Sequence, residues 1–157
     1  MGVGWRAADT LATARTESAI AHETAFGAVD FTAPWQVAIV DRLRSELDAA
    51  PTREMFAYPQ MASPYLLAGG RNPTPFQMFN APSAPPAQIE RLLAVLAESR
   101  PAYVVTNPFL LERPNDSIAR YIQTHYERLD IPEVDTYSDL VMWWIYRRRD
   151  DEPTPGS

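Results

Sequence analysis

At 157 residues, with 46% of them hydrophobic and 22% charged, the chain has the make-up of an ordinary globular domain with material for one core. Its formal net charge is −6 and lysine does not occur, which argues against nucleic acid, because binding phosphates takes a basic surface. Cysteine is absent, so disulfides, thiolate metal sites and cysteine nucleophiles are excluded together.

Residues 1–26 are Ala-rich, and Trp5, Leu11, Ile20 and Phe26 keep no clean helical face. They are expected to form a weakly structured connection into the domain. Thr32 is placed to cap a helix and Pro34 suits its first turn; Trp35, Ile39, Leu43 and Leu47 then recur every four residues, with Val40 alongside, until Pro51. Arg53 to Tyr58 reads as a short strand ended by Pro59. Ser63-Pro64 opens a short helix through Leu67, terminated by Gly69-Gly70.

Two prolines make Arg71-Asn72-Pro73-Thr74-Pro75 a stiff, extended loop. Ile89, Leu92, Leu93 and Leu96 place one apolar stripe on a helix that runs to about Ser99, and Ala102 to Thr106 is a β-branched run with the profile of a buried central strand. Asn115-Asp116-Ser117 offers a cap to a helix carrying Ile118, Tyr121, Ile122 and Tyr126. Leu140 to Tyr146 closes the chain as a strand, on which Trp143 and Trp144 would point to opposite faces.

The order α-β-α-α-β-α-β predicts an α/β fold with a small, mostly parallel sheet of at least three strands flanked by helices. Ala28 to Phe31 or Phe76 to Phe79 would extend it at an edge. A single domain is expected over residues 27–149, with 150–157 as a disordered tail. No apolar run approaches the ~20 residues of a membrane-spanning helix, and the N-terminus lacks an export signal, so the isolated chain is expected to be soluble.

In open α/β sheets ligands collect beyond the carboxyl ends of the strands, which directs attention to Tyr58, Pro59, Gln60, Asn107 and Pro108. Arg71, in the loop folding toward the same edge, could offer an anion its fork of donors, with Asn72, Thr74 and Asn107 adding neutral hydrogen bonds. Tyr58, Arg71, Asn72, Thr74 and Asn107 are therefore the candidate binding residues for a sugar or small anion. Turn chemistry explains the same residue types without a ligand, and an arginine after a glycine pair often closes a helix end. Tyr58, Tyr65, Phe76 and Phe79 read either as a stacking platform for sugar rings or as core packing. His22 and His125 have no companions at ligand spacing and no nucleotide or nucleophile motif occurs, so neither a metal, a cofactor nor a catalytic residue is expected.

Phe56-Ala57-Tyr58-Pro59, Pro64-Tyr65-Leu66-Leu67-Ala68-Gly69, Arg71-Asn72-Pro73-Thr74 and Arg100-Pro101-Ala102-Tyr103-Val104-Val105 follow one another in an order that resembles the C-terminal soluble domain of bacterial polytopic membrane glycosyltransferases related to the dolichyl-phosphate-mannose protein mannosyltransferases. The resemblance spans about residues 27–149. It implies a parent enzyme that takes sugar from a polyprenyl-phosphate carrier on the extracytoplasmic face of the bacterial inner membrane. The catalytic acid of such enzymes sits in their membrane part, so this chain would be non-catalytic. It would cover the active site, help select the acceptor or hold the enzyme in shape, with the transmembrane part as its partner and the polyprenyl-phosphate sugar or acceptor as further contacts. That role requires an apolar face, with Trp144 or Trp5 as candidates. The second reading is a free-standing α/β protein binding a sugar or small anion at the strand ends.

Overall fold

A computed structural model describes residues 19–59, 61–76, 79, 84–113, 115–132 and 143–149. Strands β1 (Ile20–Thr24) and β2 (Gly27–Phe31) form an antiparallel hairpin, so the end of the Ala-rich stretch is extended rather than helical. Ala25 and Phe26 form its two-residue turn, with Gly27 supplying a φ of 122°. Ala28 to Phe31 is thus a strand as expected, but it belongs to a separate two-stranded sheet.

Helix α1 (Pro34–Ala49) buries Ile39, Val40, Leu43 and Leu47, the stripe visible in the sequence. Thr32 does not cap it. The N-cap is Ala33, and the Gln36 amide oxygen reaches back to accept from the backbone N–H groups of Thr32 at 2.9 Å and Ala33 at 3.1 Å. Strand β3 (Met55–Tyr58) leads through a cis Tyr58–Pro59 peptide bond toward α2 (Ser63–Ala68). Gly69 ends α2 at φ 71°, and a Cβ on Gly70 would run into Met55. Arg53, rather than Arg71, closes this helix end: its Nε donates to the Gly69 carbonyl at 2.9 Å and its Nη2 to the Ala68 carbonyl at 2.7 Å.

Helix α3 (Pro86–Ser99), strand β4 (Tyr103–Thr106), the one-turn helix α4 (Pro108–Leu111), helix α5 (Ser117–His125) and strands β5 (Tyr126–Arg128) and β6 (Trp144–Arg148) complete the described elements. The main sheet has the order β3-β4-β6-β5. Only β3 and β4 pair in parallel; β6 runs antiparallel to both neighbours. The expectation of a mostly parallel sheet is therefore corrected to a mixed one. Strands β3, β4 and β5 do share a direction, but β6 inserts between the last two. Hydrophobic patterning marks a buried strand without fixing its direction, which is why the sequence left this open.

Alternation along β3 sorts the core into two layers. Met55 and Ala57 join Tyr103, Val105 and Ile145 against Ile39, Leu43 and Leu47 of α1. Phe56 and Tyr58 join Val104 against Leu92 and Leu96 of α3 and Ile118 and Ile122 of α5. The result is a three-layer α/β/α arrangement. Trp143 precedes β6 instead of lying on it, so the alternation does not reach it, and both tryptophans pack into the α1 layer. No strand forms at Phe76 or Phe79 among the described residues; Phe79 is buried in the α3 layer with Phe76 packed beside it. Strand β5 follows α5 without a loop: Tyr126, which continues the helical stripe in sequence, already has extended backbone at φ −130° and ψ 155°.

Candidate functional site

The carboxyl ends of β3 and β4 meet at one edge because the two strands are parallel and in register, Tyr58 opposite Thr106. The N-terminus of α5 faces the same edge. There Asp116 does two things at once: Oδ1 accepts from the backbone N–H groups of Ile118 and Ala119, each at 3.0 Å, and Oδ2 accepts from the Tyr58 hydroxyl at 2.6 Å. The carboxylate thus occupies the position at the helix end where an external anion would bind. Burial, then the hydrogen bond and charge of Asp116, push the Tyr58 phenol well above its ordinary pKa. It remains a neutral hydrogen-bond donor.

Asn107 lies at this edge too, but its side-chain oxygen accepts from the Phe109 N–H at 3.0 Å, capping the one-turn helix α4. The Asn72 oxygen accepts from the N–H and the hydroxyl of Thr74, both at 2.9 Å, and its amide donates to the Phe76 carbonyl at 2.7 Å. Thr74 is buried in that loop. Arg71 sits apart from Tyr58 and Asn107. Its backbone bridges Glu54, four residues before Tyr58 and therefore about 13 Å away along the strand direction. The exposed guanidinium pairs with Glu54 at 2.6 Å. Tyr58 and Asn107 are thus brought to one end of the strands, whereas Arg71 stands at the other. Gln60 lies outside the described residues.

The motifs around Arg71 and Tyr65 have a visible structural use. Strand β3 is a sheet edge, and its outward N–H groups are those of Met55 and Ala57. The first donates to the Arg71 carbonyl at 3.0 Å and the second to the Tyr65 hydroxyl at 2.7 Å, while the Arg71 N–H donates to the Arg53 carbonyl at 2.8 Å. Helix α2 and the loop after it thereby seal an edge that would otherwise be open to strand addition. Arg71→Ala keeps the backbone bridge and removes only an exposed ion pair. It is expected to change unfolding stability by less than about 0.5 kcal/mol in a denaturant titration.

A different concavity lies on the α1 side. Phe31, Trp35, Gln36, Ile39, Val40, Leu67 and Trp143 line a cleft of about 300 Å³. The sequence stripe on α1 pointed to several of these residues as core, but nothing in sequence spacing joins them to Phe31, Leu67 and Trp143. Near it, the Ala25 N–H donates to the Leu67 carbonyl at 3.0 Å, docking the hairpin turn on α2. The adjoining residues Phe26 and Leu66 are 71% and 52% exposed.

No group of three or more metal-ligating side chains occurs among the described residues, and no described helix is long and apolar enough to cross a membrane. No family model, no curated protein and no solved structure matches this chain.

Proposed function

We propose that the chain is a non-catalytic accessory domain of a polyprenyl-phosphate-sugar-dependent membrane glycosyltransferase, acting at the extracytoplasmic face of the bacterial inner membrane. Its part there is to cover the membrane-embedded active site or assist acceptor selection. The motif order over residues 27–149 motivates the reading. Trp144, expected on the partner face, is buried and Trp5 lies outside the described residues. The observation that carries the reading is instead the exposure of Phe26 and Leu66, two large apolar side chains on elements joined by the Ala25–Leu67 hydrogen bond. Single exposed hydrophobics are commonplace, whereas two on elements joined by a hydrogen bond suit a partner surface. Tyr58, Asn72, Thr74 and Asn107 use hydrogen bonds within the fold, which favours this reading over the free-standing binder.

The test is sugar transfer from a polyprenyl-phosphate donor in membranes of cells whose coding sequence for this chain is deleted. Transfer is expected to fall at least tenfold, to recover with the wild-type chain, and not to recover with a Phe26→Ser, Leu66→Ser double variant of unchanged thermal stability. Transfer that is indifferent to the chain's removal refutes the accessory role. Saturable sugar or head-group binding abolished by Arg71→Ala with Asn107→Ala would put the free-standing binder in its place.

A further inference from the structure

The cleft on the α1 side has the features of a formed ligand site. Its floor is the buried pair Ile39 and Val40, and its walls are Phe31, Leu67 and the half-buried indoles of Trp35 and Trp143. Hairpin and helices are fixed around it by more than apolar contact. Besides the Ala25–Leu67 bond, Arg44 donates to the Glu23 carbonyl at 2.7 Å, and His22 contacts Asp41 at 2.7 Å. About 300 Å³ is the lower end of the range for small-molecule pockets, which are mostly apolar with a few placed polar groups.

Among the described lining residues, Gln36 alone carries a polar side chain besides the two indole N–H groups. Its orientation is settled by chemistry: two backbone N–H groups donate to one end of the amide, so that end is the oxygen, and the Thr32 hydroxyl adds a third contact at 3.1 Å. The amide NH2 is left as the donor, and no hydrogen bond among the described residues uses it. With no charged side chain among the described lining residues, phosphate and carboxylate ligands find nothing there to neutralise them. A helix laid into a groove needs anchors at i, i+4 and i+7, spread over about 10 Å, whereas a concavity of this volume accommodates one chain or ring.

From these observations we propose that the cleft binds a neutral aliphatic chain carrying an oxygen acceptor, of the alcohol or ester class, with the chain between Trp35 and Trp143 and the oxygen at the Gln36 amide. The cleft adjoins Phe26 and Leu66 but is lined by other residues, and the proposal does not rest on the accessory role.

The test titrates the purified chain with 1-decanol and with geraniol, a linear and an isoprenoid alcohol, reading tryptophan fluorescence. Gln36→Glu keeps an acceptor for the Thr32 and Ala33 N–H groups but removes the donor, and Leu67→Trp narrows the cleft from a half-buried wall. A saturable response is expected in the wild type with at least one alcohol, the tighter of the two naming the ligand's source. Affinity should be at least tenfold weaker in both variants, each with wild-type circular dichroism. Absence of saturation by either alcohol up to its solubility limit overturns the proposal, as does equal affinity in wild type and variants. Saturation by an amphipathic helical peptide alone would assign the cleft to a protein partner and also overturn it.

Discussion

Asp116→Ala is expected to destabilise the fold by about 2–4 kcal/mol, combining a lost helix cap of about 1 kcal/mol with the loss of the acceptor for a buried phenol. One carboxylate serves the Ile118 and Ala119 N–H groups and the Tyr58 hydroxyl together, so its removal strands donors on two elements at once. For a domain of this size the loss corresponds to a fall in Tm of about 4–16 °C. Asp116→Asn retains an acceptor at the cap and is expected to lose about half as much. A double-mutant cycle with Tyr58→Phe should show a coupling of about 0.5–3 kcal/mol. An alanine variant that unfolds within about 0.5 kcal/mol of wild type would show that the Tyr58–Asp116 contact is not structural and would reopen this edge as a ligand site.

Tyr65→Phe should cost about 1–3 kcal/mol, because it leaves the Ala57 N–H on the edge of β3 without its acceptor. The same residue gives the domain an alkaline limit. Burial pushes the Tyr65 phenol up to about 12, with the Ala57 N–H pulling modestly the other way. Tyr103 is likewise pushed up to about 12, by burial and then by Glu46, whose carboxylate accepts from its hydroxyl at 2.6 Å. Both folded-state values lie above the ordinary value near 10, so the native state holds the phenolic proton more tightly than the unfolded chain does. The stability this contributes is complete below pH 10 and is lost as pH rises from 10 through 12. Denaturant unfolding at pH 8, 10 and 11 should show a decline that is shallower in Tyr65→Phe. Parallel declines in the two proteins would refute the assignment to Tyr65.

Much of the fold was legible because its helices and central strands bury one regular face each. Ile39, Leu43 and Leu47 announce α1, Leu92 and Leu96 announce α3, and Val104 and Val105 announce β4. What was not legible depends on contacts distant in sequence. Tyr58 and Asp116 are 58 positions apart, and either residue alone has an adequate local role. The direction of β6 rests on its pairing with β4 and β5, which a run of apolar residues does not encode. The candidate binding set divided for a related reason. Asn72, Thr74 and Asn107 satisfy their own turns and caps, as their residue types permit, while the parallel bridge to Glu54 places Arg71 at the opposite end of β3 from Tyr58.

The placement of β6 between β4 and β5 also orders the assembly of the sheet. Thr106 must pair with Trp144 and Tyr103 with Arg147, and β5, though earlier in the chain, has β6 as its neighbour in the sheet. During synthesis β3 and β4 can associate once both have emerged, but β5 must wait for a strand made after it. Closing such distant segments is entropically slow and leaves the β4 edge that receives β6 unpaired in the interval. The growing polypeptide therefore passes through a half-built sheet whose completion awaits Arg148, and aggregation during synthesis is most dangerous in that interval.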